Sequence, residues 1–136
     1  MGYKVFISHS MKDRRVAEEI RRRLVADAHD AFIATDVLAG DDWARAISEA
    51  LKKSEVMVVL LSPEAVQSPN VIHEISFALG SEKYEGRVLP VLLRPTNNVP
   101  WFLNTIQRID VSNLSSEAAV GDRVARALRQ LERRAG

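Results

Sequence analysis

Residues 56–61 read Val-Met-Val-Val-Leu-Leu, an unbroken apolar run. Such a run is typical of a strand that is buried on both faces, as strands are in a parallel sheet covered by helices. Helix signals lie on both sides of it. Trp43 and Ile47 share the spacing of one helix face before the run. After it, Ser68 and Pro69 offer an N-cap hydroxyl and a proline at the first helical position. The run therefore predicts a strand flanked by helices.

The same alternation of short apolar runs and segments with helical periodicity continues along the whole chain. Strands are predicted over residues 3–8, 31–35, 56–61, 87–93 and 105–111, with helices that begin near residues 10, 43, 68 and 115. This alternation implies right-handed crossovers and a parallel sheet with helices on both faces. We therefore expect a single α/β domain over residues 1–136. Its flavodoxin-like, three-layer fold would have a five-stranded parallel sheet in the order 2-1-3-4-5.

Composition excludes several classes of protein. The chain carries 19 Lys and Arg against 18 Asp and Glu, a net charge of +1, without the basic excess that is typical of nucleic-acid binding domains. It has no cysteine, which excludes disulfide frameworks, thiolate metal sites and cysteine nucleophiles. No apolar run approaches the roughly 20 residues of a membrane helix, and the N-terminus does not resemble a signal peptide. We expect a cytoplasmic protein that binds neither nucleic acid nor a membrane.

The predicted topology places a candidate binding site at the carboxyl edge of the sheet. Open α/β sheets bind their ligands beyond the carboxyl ends of the strands, where the strand order reverses between strands 1 and 3. That rule nominates Ser8, His9 and Ser10 after the first strand and Ser62 after the third. The predicted loop after the second strand, which contains Asp36, is expected beside them. These side chains are candidates for contacts with ribose or phosphate groups.

Each candidate also has an ordinary structural interpretation. Ser10, with Asp13 three residues later, fits a capping box at the start of the first helix. His9 either lines the pocket or is a structural histidine bonded to backbone. Asp36 is typical of a turn. Trp43 either borders the site or, as the first apolar residue of its helix, lies in the core, and helical spacing favours the core.

Motifs for bound cofactors and metals are absent from the sequence. A flavin or dinucleotide loop needs clustered glycines, and the six glycines of this chain are dispersed. A magnesium-dependent phosphoacceptor needs an acidic pair after the first strand, where this chain has Ser8-His9-Ser10. The three histidines lack the spacing of metal ligands. We therefore expect neither a metal site nor a resident cofactor.

One carboxylate of the third predicted helix, residues 68–80, borders the candidate site. The apolar face of this helix consists of Val71, Ile72, Ile75, Ala78 and Leu79. Glu74 falls at the edge of that face, with Asn70 and Phe77 near it on the side turned away from the core. Because the helix leaves the carboxyl end of strand 3, its first turns border the site. Spacing alone, however, favours an exposed helical glutamate.

Three motifs in the chain resemble, in order and spacing, those of Toll/interleukin-1 receptor (TIR) domains. They are Phe6-Ile7-Ser8-His9-Ser10 with Asp13, Gly40-Asp41-Asp42-Trp43 with Ile47, and the strand 56–62 followed by Ser68 and Glu74. The similarity extends to about residue 93 and is weaker after it. In this family some members cleave NAD+ at the bond between nicotinamide and ribose, and others signal through contacts between like domains. The catalytic glutamate of the family corresponds to Glu74.

The resemblance, closest to the bacterial type of TIR domain, implies an NAD+ glycohydrolase that gives nicotinamide and ADP-ribose or a cyclic variant. NAD+ would be its substrate rather than a cofactor, and its setting would be bacterial immune or stress signalling. The expected substrate-binding residues around Glu74 are Ser8, His9, Ser10, Asp36, Trp43 and Asn70. Family members also self-associate, because the loop after strand 2 of one copy completes the pocket of the next.

Two alternatives to this hydrolase stay open. Enzymes of the family commonly carry a tryptophan four residues before the glutamate, where this chain has Asn70. That difference, together with a short loop after strand 2, favours a catalytically silent TIR scaffold that associates with itself or with another TIR domain. A nucleoside deoxyribosyltransferase shares the topology and a nucleophilic glutamate, but the motif after strand 1 argues against it.

Overall fold

Five parallel strands form one sheet in the order β2-β1-β3-β4-β5, in a computed structural model that describes residues 2–33 and 42–135. The strands are β1 (Lys4–Ser8), β2 (Asp30–Ile33), β3 (Val56–Leu61), β4 (Val88–Leu92) and β5 (Ile109–Asp110). The helices are α1 (Arg14–Ala26), α2 (Trp43–Lys53), α3 (Pro69–Leu79) and α4 (Glu117–Ala135). The predicted flavodoxin-like topology is confirmed. Among these four helices, none combines the length and apolarity that crossing a bilayer requires.

The core consists of two layers separated by the sheet. The even-numbered residues of β3 pack with α1 and α4, and the odd-numbered ones pack with α2 and α3. All six side chains of β3 are buried. Because a strand between two helical layers has no face in contact with water, it must be apolar throughout. That requirement explains the unbroken run at residues 56–61.

The fifth strand is much shorter than predicted. Apolar residues between 105 and 111 indicated a strand, but the strand contains only Ile109 and Asp110, followed by one backbone hydrogen bond from Val111 to β4. The chain before them forms a 3-10 turn at Trp101–Leu103, and Ile106 packs on the side of α2 and α3. These apolar side chains cover a face of the sheet instead of extending it.

Two predicted core positions at helix ends are wrong. Trp43, the first residue of α2, is 41% exposed, and Leu79, the last residue of α3, is 37% exposed. Ile47, one turn after Trp43, is buried, and so is Ala78, immediately before Leu79. A side chain at a helix end has neighbours on one side only, so helical periodicity overestimates its burial.

Gly121 allows α1 and α4 to pack closely. A methyl group at this position would lie 2.8 Å from Cγ of Arg23 and 3.5 Å from the backbone oxygen of Glu19. We expect Gly121→Val to lower the free energy of unfolding by about 1–3 kcal/mol, because the branched side chain must displace α1. The matched control is Ala118→Val on the exposed side of α4. This variant should lower the free energy of unfolding by less than about 0.7 kcal/mol. Urea denaturation compares the two variants, and equal losses would contradict the prediction.

Candidate active site

A serine at the end of β1 and a glutamate on α3 meet at the carboxyl edge of the sheet. Oγ of Ser8 donates a hydrogen bond of 2.6 Å to Oε1 of Glu74. Both residues are buried, with exposed fractions of 1% and 6%. They are 66 residues apart in the chain, and the crossover between adjacent parallel strands brings them together. The expectation from spacing, an exposed glutamate, is wrong.

Glu74 belongs to the buried stripe of α3. The buried residues of this helix are Val71, Glu74, Ile75 and Ala78, which follow the i, i+3, i+4, i+7 pattern of one helix face. The start of the helix is set by Ser68, whose Oγ accepts the backbone N–H of Val71, with a proline at the first helical position. The cap thus sets where the helix begins, and the face that the helix buries holds one carboxylate among apolar residues.

Burial raises the pKa of Glu74 to about 7. Desolvation of the charged form is the main cause, and the hydrogen bond from Ser8 opposes it because it favours the ionised carboxylate. The group thus changes charge near neutral pH. A buried carboxylate with a raised pKa, at the edge of an α/β sheet where ligands bind, is typical of a functional site.

His9 and Ser10 continue the chain beyond Ser8 and are also buried. Nδ1 of His9 lies 2.7 Å from the backbone oxygen of Ser10, and Nε2 has no hydrogen-bond partner among the described residues. Since the carbonyl can only accept, Nδ1 carries the hydrogen and donates it. The histidine is thus bonded to backbone at one nitrogen, as one of its two interpretations predicted.

The capping box predicted at Ser10 is not formed. Its hydroxyl donates to Oδ2 of Asp13 at 3.3 Å and accepts no backbone N–H of the following turn. A 3-10 turn at Met11–Asp13 precedes α1, and the backbone N–H of Asp13 already donates to the carbonyl of Ser10. The hydroxyl is therefore available to the carboxylate.

The carboxylate of Asp13 accepts hydrogen bonds from three segments of the chain. Ser10 donates from the loop after β1. Oγ of Ser62, after β3, donates to Oδ2 at 2.6 Å, and Nη2 of Arg94, after β4, donates to Oδ1 at 2.9 Å. Arg94 also bonds to Glu64. Sequence reasoning nominated Ser62 but missed Arg94, which lies in no motif. Its position directly after a predicted strand, at the same edge of the sheet, was the available signal.

The other predicted binding residues lie at the surface or outside the described structure. Trp43, at the start of α2, and Asn70, in the first turn of α3, are exposed. Asn70 lies four residues before Glu74, the spacing of neighbours along one side of a helix. Asp36 falls in residues 34–41, which the structure does not describe. The structure thus joins Ser8 to Glu74 and leaves the binding roles of the remaining residues as predictions.

A groove of about 640 Å³ lies away from this site. Its lining includes Gly80 after α3, Val88 at the amino end of β4 and Leu131 near the end of α4. Because Ser8 and Glu74 lie at the carboxyl edge of the sheet, the groove is not part of the candidate active site. Within residues 2–33 and 42–135, no group of three His, Asp or Glu side chains could hold a metal ion.

The fold is similar to those of known proteins. The TIR domain of the Toll-related receptor TRR-2 from Hydra magnipapillata superposes with a TM-score of 0.74 at 23% identity, covering 93% of this chain and 98% of that one. The TIR domains of the Roq1 resistosome, which recognises the pathogen effector XopQ, give 0.57 at 20% identity and cover 93% and 72%. A 2-deoxyribosyltransferase from Bacillus psychrosaccharolyticus gives 0.55 at 12% identity and covers 87% and 90%. At these identities the similarity shows the fold alone.

Sequence comparison is more specific. No curated protein is similar enough to the chain to match it. A family model described as the TIR domain, however, matches residues 5–128, which include β1 from its second residue, β2 to β5, α1 to α3 and most of α4. The sheet order and the matched residues agree, so this chain belongs to the TIR domain family.

Proposed function

We propose that this TIR domain is an NAD+ glycohydrolase, which cleaves the bond between nicotinamide and ribose to give nicotinamide and ADP-ribose or a cyclic variant. The observation that carries the proposal is the buried carboxylate of Glu74, hydrogen-bonded by Ser8 at the carboxyl edge of β1. A carboxylate in an apolar stripe destabilises a fold. Such an arrangement is typical of a site whose chemistry needs that group.

One carboxylate is enough for this reaction. Most glycoside hydrolases need a second carboxyl group, which protonates the leaving oxygen. The nicotinamide of NAD+ is a cationic pyridinium, so it takes the electron pair of the broken C–N bond and leaves neutral without a proton. Positive charge develops on the ribose, and water adds to its anomeric carbon and releases a proton. The ionised Glu74 would stabilise that positive charge, and low dielectric strengthens the attraction.

Ser8 would hold the carboxylate in its reactive orientation. Its hydrogen bond engages Oε1 of Glu74 and favours the ionised form. The other carboxylate oxygen of Glu74, Oε2, would then contact the ribose hydroxyls. The proposed setting is immune or stress signalling in a bacterial cytoplasm, with TIR domains assembled so that neighbouring copies complete the pocket. The direct test is incubation of the concentrated protein with NAD+, with nicotinamide followed by chromatography.

Activity should rise with pH as Glu74 ionises. With a pKa of about 7, the reactive anion is scarce below pH 6, so kcat/KM should increase to a plateau above pH 8 with a midpoint near 7. Ser8→Ala removes the hydrogen bond that favours the anion and should move the midpoint to higher pH. Rates of nicotinamide release from pH 5 to 9 test both statements. A wild-type midpoint near 4.5, or a downward shift in Ser8→Ala, would refute them.

A catalytically silent TIR scaffold is the second candidate, and the exposed Asn70 at the position of the family's tryptophan favours it. Its partner would be another copy of the chain or another TIR domain. Light scattering and nicotinamide analysis on the same concentrated samples distinguish the two candidates. Assembly without nicotinamide release would support the scaffold and contradict the hydrolase.

A further inference from the structure

Asp13 is a second buried carboxylate next to the candidate active site, with an exposed fraction of 3%. A buried charge is tolerated only when hydrogen bonds and an opposite charge compensate its lost hydration. Asp13 has both, because two serine hydroxyls and the guanidinium of Arg94 bond to it. One arm of this hydrogen-bond network runs through Ser10 toward Ser8, and the other runs through Ser62 toward Glu74.

The first arm leads to Ser8. Ser10 follows it by two residues and is bonded twice to Asp13: its hydroxyl donates to the carboxylate at 3.3 Å, and its carbonyl accepts the backbone N–H at 3.0 Å. These bonds close the 3-10 turn Met11–Asp13 against the end of β1. A change in the position of the Asp13 carboxylate would therefore move the end of β1, which carries Ser8.

The second arm leads to Glu74. Ser62 follows β3 and donates to Asp13 at 2.6 Å, while its Oγ accepts the backbone N–H of Ala65 at 3.1 Å. Ala65 begins a 3-10 turn that ends just before Ser68, the N-cap of α3. A displacement of Ser62 would thus move the start of the helix whose second turn carries Glu74.

Arg94 holds this network from the end of β4. Its Nη2 lies 2.9 Å from Oδ1 of Asp13 and 2.5 Å from Oε1 of Glu64. Glu64 belongs to the same connection between β3 and α3 as Ser62. The guanidinium therefore joins a buried carboxylate after β1 to a partly exposed one before α3, so the loops after β1, β3 and β4 meet at this guanidinium.

We infer that Asp13 and Arg94 are positioning residues, which couple the segment that carries Ser8 to the segment that carries Glu74. Asp13 bridges the two segments through serine hydroxyls, and Arg94 neutralises and orients its carboxylate. The consequence for catalysis rests on the proposed NAD+ hydrolysis, whereas the coupling between the two segments does not. The two therefore need separate measurements.

Coupling is measured on the carboxyl group of Glu74 by ¹³C NMR titration of the folded protein. In the wild-type background, Ser8→Ala should raise the pKa of Glu74. Asp13→Asn, Asp13→Ala and Arg94→Gln should each loosen the two segments and thereby weaken the hydrogen bond between Ser8 and Glu74. In each of these backgrounds, Ser8→Ala should shift the pKa of Glu74 by less than half as much as it does in the wild type. An undiminished shift in the Asp13 and Arg94 backgrounds that fold would overturn the inference.

The matched control is Asp27→Asn, which removes another carboxylate–arginine pair, formed with Arg129 where α1 meets α4. It should leave the effect of Ser8→Ala unchanged, and an equal reduction there would mean that any lost ion pair gives this result. Arg94 is about half exposed, so we expect Arg94→Gln to fold, and this variant tests the coupling if the Asp13 variants do not fold.

Catalysis gives the second measurement. Asp13→Asn and Arg94→Gln should lower kcat for nicotinamide release by roughly 10- to 100-fold with little change in KM, because a displacement of about 1 Å in the reacting groups is costly. An active wild type with unchanged kcat in both variants would overturn the positioning role. A wild type that releases no nicotinamide contradicts the proposed hydrolase, and the NMR titration still decides whether the two segments are coupled.

Discussion

Glu74→Gln is expected to abolish nicotinamide release, with a loss of about 10³-fold at pH 8. Glutamine has nearly the size of glutamate and can still bond to the Ser8 hydroxyl, but it carries no charge to stabilise the developing cation on ribose. Because the lost interaction belongs to the transition state, kcat should fall much more than KM rises. An unchanged far-ultraviolet spectrum would show that the loss is chemical.

The assay needs concentrated protein and a matched control. Self-association, if the site requires it, would make a dilute sample inactive for reasons unrelated to Glu74, so sedimentation should show equal assembly of wild type and variant. Glu85→Gln removes an exposed glutamate just after the 3-10 turn at Glu82–Tyr84 and should leave the rate unchanged. A Glu74→Gln rate within tenfold of wild type would exclude the assigned role.

The same substitution is expected to stabilise the fold at high pH. Burial raises the pKa of Glu74 from 4.5 to about 7. Below pH 4.5 the folded and unfolded chains both hold the proton. As the pH rises from 4.5 to 7, the unfolded chain releases this proton while the folded chain keeps it, so wild-type stability falls. Above pH 7 the folded chain carries the buried charge and the loss levels off. Because glutamine stays neutral, its advantage over wild type should grow by on the order of 3 kcal/mol between pH 4 and pH 8.5.

Urea denaturation at pH 4, 6 and 8.5 measures this difference. The advantage of Glu74→Gln should be smallest at pH 4 and largest at pH 8.5, while Glu85→Gln should follow wild type throughout. A difference that does not change with pH would mean that Glu74 ionises as easily in the folded chain as in the unfolded one. Together with the loss of activity, a rising difference would show that this fold keeps a destabilising carboxylate for its chemistry.

The fold was predictable from local patterns. A strand covered on both faces must be apolar at every position, so the run at 56–61 identified the centre of the sheet. Ser68 and Pro69 marked the start of α3, since an N-cap hydroxyl and a fixed proline φ act within one turn. The fifth strand was less predictable, because apolar residues that pair with a strand and apolar residues that cover a sheet have the same composition.

The candidate site was predictable in part. The rule for the carboxyl edge nominated Ser8 and Ser62, and the resemblance to TIR domains pointed to Glu74, whereas its helical spacing favoured an exposed side chain. Periodicity treats a carboxylate as polar wherever it lies. It therefore does not recognise that Glu74 shares the buried stripe of α3 with Val71 and Ile75.

By itself, then, the sequence determined the α/β class, the strand order and the edge at which a site would form, because each depends on the apolar pattern of short segments. Only the tertiary structure decided that Glu74 is buried against Ser8, that its pKa rises, and that Asp13 bonds to Arg94. These contacts join residues more than 60 positions apart. Their energies depend on distances and on the exclusion of water, which exist only once the strands lie side by side.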